Sequence, residues 1–297
     1  MLESASRLLE RIPVMDWALA TAVAVAALVS LLYGRRGGRF RELPGWSAFW
    51  FLFAGLLIAL SHVTPRWISF TLLAMWMFAS LRSYFFVSPV RPRDRWAVLA
   101  TYLSIPVTLW PAYLGSHETF LATVPVSLFL FIPVFLSIGY QQEGFLDSMG
   151  RTLLGVLFFV FCVGYLGLLV HQQPPGLLEL FGILVLSAEL PQRLIGRFRP
   201  GEGWVKPVAG VVISFLLTAG IGFWVGPWCG LVGEDAARAG FLVAVAVTLG
   251  ALVGNAVALD LAQTHASAWF GRGAFLNRMV PAVYAAPVYF HYLNHFA

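Results

Sequence analysis

The chain has 297 residues, 59% of them hydrophobic and 11% charged, with a mean hydropathy of +0.80 and a formal net charge of +5. A soluble domain carries about 25% charged residues, so this composition cannot clothe a water-facing surface. It excludes a soluble enzyme, a disordered chain and a nucleic-acid-binding module. The apolar runs are continuous rather than alternating, which excludes an outer-membrane barrel and leaves an all-α polytopic integral membrane protein.

In chain order, Leu2 to Ile12 places apolar residues at helical spacing beside Arg7 and Arg11, the pattern of a segment resting on the interface. Ten runs then approach the roughly 20 residues that a bilayer core requires. They cover 17–33, 46–62, 67–87, 96–114, 119–140, 152–170, 176–190, 207–228, 239–259 and 279–296. The seventh is short, so nine spans with one re-entrant segment is the alternative to ten. The first run is not followed by an A-x-A-like cleavage site and a soluble region, so it reads as a span and not a signal peptide. Pro106, Pro111, Pro125, Pro133 and Pro287 fall inside runs and predict kinked helices. No internal repeat is visible. Cys162 and Cys229 lie in apolar runs and read as small core side chains.

The basic residues alternate between loops. Arg35, Arg36, Arg39 and Arg41 follow the first run, Arg91, Arg93 and Arg95 the third, and Arg151 the fifth. Arg193, Arg197, Arg199 and Lys206 follow the seventh, and Arg272 and Arg278 the ninth; the intervening loops hold Arg66 and Arg238. The positive-inside rule makes the first set cytoplasmic and the location the inner membrane. Ten spans put both termini outside. Nine put the N-terminus inside, which suits Arg7 and Arg11 better.

Ionisable side chains inside a membrane are costly and mark candidate sites. Glu189, Gln192 and Arg193 lie at the cytoplasmic end of the seventh run, Asn255 and Asp260 near that end of the ninth, and Arg272, Asn277 and Arg278 just beyond. Three segments thus supply polar groups at one depth, as a headgroup-level site requires. The bland alternative is that each snorkels from a helix end. Arg82 reads as snorkelling, Glu179 as an interfacial acid near the outer face, and His171 as a solvated loop residue. His291 and His295 share the i, i+4 spacing of a metal pair, but no third ligand is evident, so they read as interfacial anchors. Walker, Rossmann and zinc-finger signatures are absent.

Several segments resemble the phosphatidate cytidylyltransferase (CDP-diacylglycerol synthase) family. Gly271-Arg272-Gly273-Ala274-Phe275-Leu276-Asn277-Arg278 is similar to that family's GHGGxxDRxD segment. Ala285-Ala286-Pro287-Val288-Tyr289-Phe290-His291-Tyr292 looks like its last helix. Glu189 to Arg197 is similar to a D-x-x-A-Y-x-x-G-R segment, and Pro200 and Trp204 are spaced as in an SPKKTWEG loop. The resemblance covers 141–297, a cytidylyltransferase-like membrane core, and leaves 1–140 as additional membrane helices of one integrated domain.

The resemblance implies a nucleotidyltransferase of phospholipid biosynthesis, in which the phosphate of phosphatidate attacks the α-phosphorus of CTP to give CDP-diacylglycerol and diphosphate. It implies Mg2+ as cofactor, membrane lipids, phosphatidate, CDP-diacylglycerol and CTP as ligands, and a homodimer or a lipid-synthesis enzyme as partner. It assigns catalysis and metal binding to Glu189 and Asp260, and substrate phosphate to Arg193, Arg197, Lys206, Arg272, Asn277 and Arg278.

The chain departs from the family at the acids. Arg272 stands at the histidine position, Asn277 and Val280 at two aspartates, and Gly201-Glu202-Gly203 at the Lys-Lys-Thr stretch. Asparagine and valine cannot serve as anionic magnesium ligands. The expectation is therefore an enzyme impaired or altered in activity, with a non-catalytic binder of anionic phospholipid as the alternative. There the arginines would grip phosphate through their planar forks. A small-solute transporter is a third reading, supported by kinked helices and opposed by the clustering of polar groups at one face.

Overall fold

A computed structural model describes residues 2–34, 43–63, 65–91, 94–137, 144–172, 176–196, 203–260 and 274–296. Side chains are described for these except 2–13, 123, 127, 128, 172, 258–260 and 274–277. Among the described residues the protein is all helix. In order the helices are α1 (Leu2–Gly34), α2 (Leu43–His62), α3 (Arg66–Val87), α4 (Arg95–Tyr113), α5 (His117–Ser137) and α6 (Phe145–Val156). They continue as α7 (Val163–Gln172), α8 (Leu177–Ile195), α9 (Val205–Val225), α10 (Gly233–Asp260) and α11 (Ala274–Phe296). A π-helical segment, Leu157–Cys162, joins α6 to α7 without a break. A short 3₁₀ turn, Gly226–Cys229, follows α9.

Seven segments are long and apolar enough to cross a membrane: Val14–Gly34, Leu43–His62, Arg66–Val87, His117–Ser137, Phe145–His171, Val205–Cys229 and Gly233–Val257. The protein is thus a polytopic helical membrane protein by length and composition. Helices α4, α8 and α11 coincide with predicted runs but are not among the seven. In α8 the cause is three charges, Glu179, Glu189 and Arg193. Large apolar side chains point outward along the rods, among them Trp110, Leu216 and Trp224, and such a surface suits lipid rather than water.

Helix α8 is the axis of the packing. It is buried without interruption from Leu177 to Glu189. Helices α1, α2, α9 and α10 pack around it, and α11 lies against α10. Small residues let backbones approach: a Cβ at Gly240 would lie 2.5 Å from the Thr218 carbonyl oxygen, and one at Gly250 2.8 Å from Tyr284 Cβ. This small-residue contact is how apolar helices associate where lipid removes the hydrophobic driving force. Prolines 106, 111, 125, 133, 191, 281 and 287 lie inside helices, as expected for the five anticipated as kinks.

The rods alternate in direction, so their ends sort into two sets. At one end, Tyr84 donates to the Arg151 carbonyl at 2.9 Å and Arg91 to Ser148 Oγ at 3.0 Å, beside the start of α2 and the end of α8. At the other, His62 meets Asp16 and Arg66 approaches His171 at 3.4 Å. These are the Trp46 end and the His62 end.

Candidate functional site at the Trp46 end

The last two turns of α8 read Glu189-Leu-Pro-Gln-Arg193, which sets a carboxylate and a guanidinium four residues apart on one helix face. Arg193 Nε donates to Glu189 Oε2 at 3.0 Å, and the pair is almost wholly buried, with side-chain exposures of 6% and 1%. The Trp46 indole N–H, from the first turn of α2, donates a short bond to the same oxygen. The Arg193 guanidinium carbon lies 5.1 Å from the centre of the Trp46 ring, so the indole serves both charges, one through its N–H and one through its face.

The cluster is incompletely satisfied. Glu189 Oε1 and Arg193 Nη2 are buried without a hydrogen-bond partner. One acceptor and one donor are left over side by side, each costly in a low-dielectric setting. Arg278, 9% exposed, reaches the adjacent residue of α2: a Cβ on Gly45 would meet its guanidinium, about 3.0 Å from Cζ. Glycine at 45 is therefore what admits Arg278 against the start of α2.

Of the predicted site residues, Glu189, Arg193 and Arg278 thus gather at the start of α2. Lys206 is exposed in the first turn of α9, with its Cβ 3.0 Å from where a Cβ on Gly196 would lie. Asp260 ends α10 and Asn277 lies in the first turn of α11, with side chains outside the described set. Arg197 and Arg272 lie outside the described residues. Gln192 is a packing residue that donates to Ser214 at 3.2 Å and Thr248 at 2.9 Å, tying α8 to α9 and α10. Gly45 and Trp46 were not predicted. Trp46 pairs with a residue 143 positions away, and a tryptophan at the start of an apolar run reads as an interface anchor.

Of the two carboxylates that the resemblance assigns to magnesium, the Asp260 side chain lies outside the described set and Glu189 alone is described. Glu189 is the sole described carboxylate that α2, α8 and α11 bring to this end, and its Oε2 is occupied by a cation and an N–H. Its Oε1 has no partner, so this part of the site offers magnesium, which favours oxygen ligands, a single open carboxylate oxygen.

At the His62 end three expectations change. Glu179 is fully buried in the first turn of α8 instead of lying at the interface, because α1 and α2 close over it. His291 accepts from or donates to Tyr165 Oη at 3.1 Å, and its ring lies 5.2 Å from that of His117, so it is packed against partners. His171 ends a helix beside Gly115 and Arg66 instead of occupying a free loop. Arg82 is exposed at the end of α3, as snorkelling requires. Cys162 and Cys229 are free and buried.

Compared with known proteins, the chain is 25% identical over 309 residues to the uncharacterized protein YnbB of Escherichia coli (strain K12). The match covers 95% of this chain and 99% of that protein. No family model and no solved structure matches.

Proposed function

We propose that the chain is a phosphatidate cytidylyltransferase-like protein of the inner membrane, with all ten rods crossing, that binds the phosphate of phosphatidate or CDP-diacylglycerol at its cytoplasmic face and turns over CTP poorly. The supporting observation is the Glu189–Arg193–Trp46 cluster, which leaves one acceptor and one donor open close to Arg278. A singly protonated phosphate monoester carries both complements: its P–O⁻ accepts from Arg193 and Arg278, and its P–OH donates to Glu189. A phosphodiester lacks the hydroxyl, and so does the pyrophosphate of CDP-diacylglycerol, so phosphatidate is favoured over both CDP-diacylglycerol and phosphatidylglycerol. The pairing of Glu189 with Arg193 supports binding over metal-assisted transfer, because the carboxylate is already neutralised.

The test uses detergent-purified protein with phosphatidate, labelled CTP and magnesium, beside a family member carrying the full acidic motif. The expected result is little or no CDP-diacylglycerol, with phosphatidate retained in native mass spectra and lost in Arg193→Ala and Arg278→Ala. Product at the rate of the full-motif enzyme, or lipid retention indifferent to both substitutions, overturns the reading.

A further inference from the structure

The His62 end holds a second polar cluster that the phosphate reading does not use. Asp16 of α1, His62 at the end of α2 and Glu179 in the first turn of α8 each offer a ligand atom within 4.8 Å of the others. His62 Nε2 lies 3.0 and 2.9 Å from the two Asp16 oxygens. Glu179 is 0% exposed, and neither of its oxygens has a hydrogen-bond partner. The Ser61 hydroxyl stands near the carboxylate without closing a proper bond. The other polar groups nearby are already engaged: Cys229 Sγ donates to the Gly176 carbonyl at 3.2 Å and Tyr289 Oη to the Leu177 carbonyl at 2.9 Å.

A buried carboxylate without donors is among the costliest arrangements in a protein interior. Here a second carboxylate and an imidazole stand beside it, and among the described residues no lysine or arginine pairs with any of the three. Two anionic oxygens and one imidazole nitrogen, drawn from three helices, form a ligand set for a divalent transition metal of the zinc class. Three protein ligands leave a fourth position for water. The side chains of His62 and Asp16 are 37% and 25% exposed, so an ion can enter from the surface and reach Glu179 behind them.

We propose that Asp16, His62 and Glu179 bind one zinc-class divalent cation that pins α1 and α2 to α8. The ion takes the place of the hydrogen bond between His62 and Asp16. This site is independent of the phosphate reading and stands or falls separately.

The full-length protein, carrying no polyhistidine tag, is stripped with chelator in detergent and titrated with Zn2+ alone. Bound metal is read by mass spectrometry after desalting, and the thermal midpoint is followed alongside. The expected result is about one zinc per chain with a rise in the midpoint. Affinity should fall by more than about 10-fold in His62→Ala and in Glu179→Gln. Glu179→Gln keeps shape and removes the charge, so it remains informative where His62→Ala fails to fold. Co2+ should give the visible absorption of a low-coordinate nitrogen and oxygen site in the wild type, and lose it in the same variants. No retained zinc, zinc unaffected by Glu179→Gln, or zinc that follows His117→Ala instead overturns the proposal.

Discussion

Glu189 Oε2 receives an indole N–H and a guanidinium N–H, while Oε1 receives nothing. Removing one member of such a buried pair strands the other, at a cost of about 3–5 kcal/mol, whereas replacing both with apolar groups of similar volume is near neutral. The expected outcome is that Glu189→Met and Arg193→Met each lower the thermal midpoint in detergent, while the double substitution recovers most of the loss. Midpoints that fall additively would mean the two side chains act separately. Half of this arrangement was legible in the sequence. The i, i+4 spacing of Glu189 and Arg193 is local and can be read directly, and Arg278 stands out as a charge in an apolar region. The role of Gly45 and Trp46 depends on how α2 lies against α8, which no local pattern encodes.

Among the helices, those that meet through glycine are the least tolerant. Gly240 faces the Thr218 carbonyl with no room for a Cβ, whereas nothing lies within 4 Å of Gly220. Overpacking such a contact costs about 1–3 kcal/mol. Gly240→Leu should therefore lower the thermal midpoint and Gly220→Leu should leave it unchanged, as measured by differential scanning fluorimetry in one detergent. Equal effects would show that the α9–α10 contact is not close. Every predicted run falls on one of the helical rods, because hydropathy responds to the stretch that lipid can solvate. The ends differ for the same reason. Helix α10 begins at Gly233, ahead of the run at 239, since its first turn carries Glu234 and Asp235, and acids at a helix start favour helix without being apolar. Helix α8 continues to Ile195 through Pro191 and Arg193, beyond the run that ended at 190.

For the whole molecule, the alternation of basic loops and the antiparallel rods make one topological statement. Leu114 follows α4 and Val232 precedes α10, both exposed, while Gly203 precedes α9. Four rods lie between Leu114 and Val232, counting α6 and α7 as one, so these two positions belong on the same side only if α8 crosses. In a Cys162→Ala, Cys229→Ala background, an impermeant maleimide applied to spheroplasts should label Leu114→Cys and Val232→Cys, and label Gly203→Cys only after permeabilisation. Labelling of Leu114→Cys and Val232→Cys from opposite sides would make α8 re-entrant. The π segment could not be read from hydropathy, because its residues are apolar whether the backbone bonds close at i−4 or i−5.

That segment, Leu157–Cys162, has a consequence for how the chain tolerates change in length. Each residue of a regular α-helix advances the azimuth by about 100°, and a π turn absorbs one extra residue without ending the rod. Downstream of it, Tyr165 meets the Phe120 and Phe290 rings and the His291 nitrogen. Those meetings keep their phase because the wide turn takes up the surplus residue. Excising one of the six would therefore straighten the rod and leave everything beyond it close to its present facing, with Tyr165 still against all three partners. The irregular turn acts as slack in the chain: it takes up one residue of length, so that α6 still fits Tyr84 while α7 fits the rings at the far end.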